Sequence, residues 1–95
     1  MSDYEMVFII SPELDDEEIS KTLDKLNELI AKMGGSVTEI NQWGRRKLAY
    51  PVQKFMEGYY VLAQLKLEPA SIVKFEASIH RFEGIIRHLL IRLNG

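Results

Sequence analysis

Residues 43–67 read WGRRKLAYPVQKFMEGYYVLAQLKL. Two strand-like runs meet in this stretch, joined by a short connection that ends at Gly58. In the second run, 59–67, Tyr59, Val61, Ala63, Leu65 and Leu67 share one face, while Tyr60, Leu62, Gln64 and Lys66 share the other. In the first run Leu48, Tyr50 and Val52 alternate in the same way. Pro51 would cost a ladder hydrogen bond in a central strand, which places the first run at a sheet edge. Two sequential strands at the middle of the chain predict a hairpin, and what flanks that hairpin decides the fold.

On its N-terminal side, residues 4–10, YEMVFII, form an apolar run with little polar relief. That pattern fits a strand covered on both faces, hence a central one. Ser11 and Pro12 stop it. A helix is expected from Asp15, which as N-cap with Glu18 three residues later approximates a capping box, while Leu14 and Ile19 occupy the staple positions. Its apolar stripe is Ile19, Leu23, Leu26, Ile30 and Met33, and Gly34-Gly35 closes it. Residues 36–50 are then the strand that enters the hairpin; Val37 and Ile40 differ in parity, so a bulge is expected. On the C-terminal side Pro69 opens a second helix carrying Ile72, Phe75, Ile79 and Phe82, which Gly84 ends. Residues 85–93, IIRHLLIRL, give a last strand with apolar residues on both parities.

The order is β-α-β-β-α-β. Two βαβ-like halves joined by a hairpin predict an α+β, ferredoxin-like sandwich: a four-stranded antiparallel sheet with both helices on one face. The first and third strands would be central, the second and fourth at the edges. The face away from the helices would expose Tyr60 and Leu62, together with Val7 and Ile9 if Tyr4, Met6 and Phe8 turn inward. A partly apolar open face of this kind marks a partner surface. Ninety-five residues with 46% hydrophobic content suit one domain, spanning 1–95.

Charge is unevenly distributed. The net charge is −2, yet residues 1–42 carry −7 and residues 43–95 carry +5, with all five arginines in the second part. Such polarity suggests a bipolar surface with a side facing a polyanion. The densest cations, Arg45, Arg46 and Lys47, must alternate sides of an edge strand, and both arginines are expected to be solvated in the free protein. Arginine's planar fork suits phosphate, and Trp43 and Tyr50 beside the run suit stacking on bases. The competing explanation is that the cations only guard an exposed edge.

Other chemistry is poorly supported. The chain has no cysteine, which fits a reducing compartment. No apolar run approaches a membrane span, and the N-terminus has neither the basic start nor the cleavage site of a signal peptide. His80 and His88 lack a cysteine or carboxylate cluster in sequence and make poor metal ligands. Helix capping accounts for Asp15, Asp16, Glu17 and Glu18. No nucleophile elbow or phosphate-binding glycine loop is present. An acylphosphatase-type enzyme on this fold would want an arginine in the loop after the first strand, where Ser11-Pro12-Glu13-Leu14 stands instead. A small-molecule-binding regulatory domain remains the alternative. The run EGYYVLAQ, residues 57–64, matches the RNP1 pattern of RNA-recognition domains only at Gly58 and Tyr59, so shape and phosphate contacts would outweigh base stacking.

WGRRKLAYP (43–51), EGYYVLAQLKL (57–67) and the opening YEMVFIISPEL (4–14) together resemble the bacterial small-subunit ribosomal protein S6 family, most specifically in Gly44-Arg45-Arg46-Lys47-Leu48-Ala49-Tyr50-Pro51. The resemblance runs from Tyr4 to Leu93. It implies a non-enzymatic, structural component of the ribosome in the cytoplasm, without cofactor, metal, membrane attachment or small-molecule substrate. It also implies binding to a junction in the central domain of small-subunit rRNA, as a pair with small-subunit ribosomal protein eighteen. By the motif match, Arg45, Arg46, Lys47 and Tyr50 are the expected rRNA or partner contacts. Arg87 and Arg92 on the last strand join them by charge and position. The acidic first helix is expected on the solvated side.

Overall fold

The computed structural model describes residues 1–93. In chain order these form β1 (Ser2–Ile10), α1 (Asp16–Lys32), β2 (Ser36–Val52), β3 (Phe55–Leu67), a 3-10 turn (Pro69–Ser71) running into α2 (Ile72–Ile79), and β4 (Ile85–Arg92). The strands make one antiparallel sheet in the order β2-β3-β1-β4. This is the ferredoxin-like arrangement, with the two strands expected at the centre in the centre.

α1 begins and ends where local chemistry dictates. The Glu18 amide donates to Asp15 Oδ1 at 2.8 Å and the Asp15 amide donates to Glu18 Oε1 at 3.1 Å, completing the capping box. At the other end the Gly35 amide donates to the Ile30 carbonyl and the Gly34 amide to that of Ala31, both at 3.0 Å. That pair of bonds is a Schellman motif, and it requires the left-handed φ of 79° that Gly34 adopts. α2 is shorter than its apolar spacing suggests. It ends at Ile79, and Phe82 packs against the core from the turn that follows.

Both helices lie on the same face of the sheet. Tyr4, Met6, Phe8 and Ile10 from β1 and Val61, Ala63, Leu65 and Leu67 from β3 meet Ile19, Leu26 and Ile30 of α1 and Phe75 and Ile79 of α2. Each of these large side chains contributes roughly 1.5–3 kcal/mol gross on burial. The register resolves β4, whose sequence was ambiguous. His88, Leu90 and Arg92 pair with Phe8, Met6 and Tyr4 on the helix side, so Arg87, Leu89 and Ile91 fall on the uncovered side. Leu89 is 59% exposed and Ile91 47%.

Two substitutions separate the cap from the core. Asp15→Ala should lower the free energy of unfolding by about 1 kcal/mol through loss of the cap. Phe75→Ala, which empties a fully buried site, should cost about 3–5 kcal/mol. Urea denaturation monitored by circular dichroism measures both. Equal losses would contradict this division between helix end and core.

Candidate nucleic-acid interface

The β2–β3 hairpin departs from a regular ladder near its end. β2 and β3 pair without a break from Gly44↔Tyr60 to Lys47↔Glu57, and the next pair is Val52↔Phe55. Residues 48–51 therefore face a single residue, Met56, on the opposite strand. So large an excess on one strand bends a hairpin, and Pro51 sits within it, where no ladder bond is lost. The turn itself is Gln53-Lys54, with φ values of 50° and 73°. Both residues take the left-handed region that a two-residue turn demands, without the glycine or asparagine usually found there.

The bent end, here called the arm, lies across the uncovered face of the sheet. Gln53 Nε2 donates to the Ile86 carbonyl at 3.4 Å, and Arg87 Nη1 donates to the Tyr50 hydroxyl. The Arg87 guanidinium carbon also stands 5.3 Å from the Tyr50 ring centroid, within cation–π range. Beneath the arm is Ile9, which points away from the helices yet is only 8% exposed. Leu48, Ala49, Tyr50, Val52, Tyr60 and Arg87 line a small cavity together with it. Gly58 makes this closeness possible, because a side chain there would overlap Ile9 Cγ2.

The cationic run divides between the two sides of β2. Arg46 pairs with Gly58 on the uncovered side, and its guanidinium carbon lies 5.6 Å from the Trp43 ring centroid. Trp43 is extruded by the bulge between Gln42 and Gly44, the latter at φ 86°, and is 44% exposed. Arg45 pairs with Tyr59 on the helix side and donates from Nη1 to the Pro12 carbonyl at 3.0 Å and from Nη2 to that of Leu14 at 3.4 Å. Lys47 follows on the Arg45 side. Among the described residues, none of Arg45, Arg46, Lys47 and Arg87 has a carboxylate partner. Their charge is left to attract an external anion.

The structure thus gathers Arg45, Arg46, Lys47, Tyr50 and Arg87 at one end of the sheet. It does not bring Arg92 there. Arg92 is five residues further along β4, roughly 16 Å at strand rise, and donates to Ser2 Oγ at 2.9 Å on the helix side. Both arginines of the central run are exposed, as expected. The sequence contains no signal that one of them would also staple β2 to the loop after β1. An arginine does reach that loop, but its N–H groups meet carbonyl oxygens. A phosphate cradle needs amide donors there, so the acylphosphatase-type geometry does not arise. Sequence reading also missed a carboxylate for His88. Its Nε2 lies 3.3 Å from Glu76 Oε1, one helix away, with the His80 ring edge-on at 5.4 Å. No group of three or more metal-ligating side chains occurs among the described residues. No helix there is long and apolar enough to cross a membrane.

Known proteins resemble this chain over nearly its whole length. A family profile described as Ribosomal protein S6 matches residues 3–92. The small ribosomal subunit protein bS6 of Moorella thermoacetica is 41% identical over 93 residues, covering 98% of this chain and 95% of that one. Its counterpart in Corynebacterium glutamicum is 34% identical over 94 residues, covering 99% of each. The crystal structure of 30S ribosomal protein S6 from Thermotoga maritima superposes with a TM-score of 0.89 at 27% identity, over 96% of this chain and 86% of that one. An Arabidopsis thaliana protein with a TM-score of 0.60 at 10% identity shares the fold alone.

The unequal anchoring of the two arginines is measurable in the free protein. Arg45→Ala should lower stability by about 1 kcal/mol, the net worth of its exposed bonds to two carbonyls. Arg46→Ala should change it by no more than about 0.5 kcal/mol, as a solvated surface position does. Urea titration of the two variants compares them directly, and a larger loss for Arg46→Ala would reverse the assignment.

Proposed function

The chain belongs to the ribosomal protein S6 family, and from that premise we propose that it binds small-subunit rRNA in its central domain jointly with small-subunit ribosomal protein eighteen. The family is one of structural components of the small ribosomal subunit, not of enzymes, and its members work in the ribosome in the cytoplasm. The proposal concerns how this chain takes its place there. Residues 1–95 act as one rRNA-binding domain. Arg45, Arg46, Lys47 and Tyr50 on β2 and the arm, with Arg87 on β4, form the contact set, and Arg92 serves as a separate contact at the far end of β4.

One observation carries the reading. Cations without carboxylate partners among the described residues stand beside two exposed aromatic rings, Trp43 and Tyr50, at one end of a sheet face that the helices leave open. Folded RNA presents a dense phosphate surface that such a patch attracts. Farther along the same face, Leu89 and Ile91 on β4 share the side of Val7 and Leu62 and remain largely exposed. An apolar strip beside a cationic patch supports two partners rather than one. The acidic first turn of α1, by contrast, repels a polyanion.

Two measurements test this. In a gel-shift titration with junction RNA, the protein alone should bind weakly or undetectably, and ribosomal protein eighteen should convert this to tight binding. Equal affinity with and without that protein would refute joint recognition. Arg46→Glu combined with Lys47→Glu spares the Arg45 staple and should leave the fold intact by circular dichroism. In the presence of the partner, the dependence of log K on log salt should become shallower by roughly 0.7–0.9 per lost phosphate contact. An unchanged slope would remove these residues from the interface.

A further inference from the structure

The arm is a long excursion with little to hold it. Past Lys47↔Glu57 its ladder is reduced to one pair, and its turn residues adopt backbone angles that cost free energy without glycine. An isolated two-stranded ribbon end of this kind is marginally stable in water. Yet it lies down across β1 and touches β4. Besides its cover of Ile9, two polar contacts with β4 hold it there: the Arg87–Tyr50 pair, which combines a hydrogen bond with a guanidinium near the ring, and the Gln53 bond to the Ile86 carbonyl. They come from adjacent residues of β4 and fix two points of the arm, three residues apart. Arg87 has no carboxylate partner among the described residues that would draw it elsewhere.

We propose that Arg87 and Tyr50 form a clasp that holds the arm in its binding geometry, so that Arg87 is a positioning residue and not a phosphate ligand. This deepens the rRNA-binding reading and rests on it, and it moves Arg87 from the contact set to the support beneath it. Arg87 gives one N–H to the Tyr50 hydroxyl and keeps its guanidinium carbon 5.3 Å from the ring centroid, so one side chain supplies both a hydrogen bond and a cation–π contact. Arg45, Arg46 and Lys47 are already fixed by the ladder and the Arg45 bonds, and the closed clasp sets Tyr50 and the rest of the arm beside them. With it open, the arm samples many positions, and the apparent affinity falls in proportion to the fraction still docked.

The test uses the full chain, first free and then with ribosomal protein eighteen and junction RNA. In the free protein, Arg87→Gln should lower the NMR order parameters of the amides of residues 48–55 from the rigid range near 0.85 toward about 0.6. The nuclear Overhauser contacts between Gln53 and Ile86 should be lost as well. In the complex, the same variant should weaken partner-dependent binding about tenfold, with the salt slope unchanged. Tyr50→Phe should weaken binding in the same direction. Combined with Arg87→Gln it should add almost nothing, because both changes open one clasp.

Unchanged order parameters would overturn the clasp, and so would additive losses in the double variant. A slope that falls by roughly 0.7–0.9 would overturn the positioning role by making Arg87 a phosphate ligand. The order parameters are read without RNA. A wild-type protein that fails to bind RNA with its partner would therefore count against the proposed function, while the order parameters still decide whether Arg87 anchors the arm.

Discussion

Adjacent residues of a strand must point to opposite faces of a sheet, and the two helices of this chain cover only one of those faces. Much of the molecule follows from that mismatch. The helix-facing positions of β1 and β3 are filled with Tyr4, Met6, Phe8, Val61, Ala63 and Leu65, and they make the core with α1 and α2. The other face has no helix to meet it. A sheet of four strands without a second layer must either carry polar residues there or find cover elsewhere. This chain does some of each. It bends a hairpin over Ile9 at one end and leaves Leu89 and Ile91 open farther along.

The bend changes what the cations can do. Had β2 and β3 continued in register to their turn, the arm would have projected beyond the sheet as a loose ribbon. The four-against-one bulge turns it across β1 instead, at the point where Gly58 leaves room for Ile9. Arg45, just before the bulge, is tied to the Pro12 and Leu14 carbonyls, while Arg46 stands on the other side beside Trp43. Neighbours in sequence thus differ in role. One joins β2 to the loop that leads into the acidic helix, and the other stands over the open face. The alternation that builds the core therefore also sorts the charges.

Periodicity made the architecture readable because burial enforces it. The alternation of 59–67, the 4-3-4-3 spacing of the first helix and the capping pair Asp15/Glu18 each reappear in the structure as a physical contact. The edge position of β2 was legible from Pro51, but the proline sits inside a bulge where the sequence suggested a regular alternation of Leu48, Tyr50 and Val52. β4 was illegible for a plain reason: IIRHLLIR is apolar on both parities, and only its register with β1 decides which side is which. The ends of elements were less readable than their centres. β3 begins at Phe55 because pairing across the turn resumes there, and α2 stops at Ile79 although Phe82 still reaches the core. Of the candidate site, the residues that needed only local pattern were found. Those defined by distant partners were not: Arg45 to the β1–α1 loop, Gln53 to Ile86, His88 to Glu76. Each of these contacts spans a dozen residues or more, and no spacing in the sequence encodes it.

The same geometry explains how a chain of net charge −2 can serve a polyanion. At physiological salt a charge is felt over about 8 Å, so a phosphate near the arm responds to what lies within that distance and not to the total. Within it stand Arg46 and Lys47; Glu57 lies opposite Lys47 in the ladder, but no ion pair joins a carboxylate to either cation among the described residues. The acidic first turn of α1 is needed for its own helix, where Asp16, Glu17 and Glu18 stabilise the positive end. Arg45 and Lys47 stand on the helix side of β2 and Arg46 on the other, so the cations at this end of the sheet reach both faces. An evenly mixed surface of the same net charge would bind RNA weakly in every orientation.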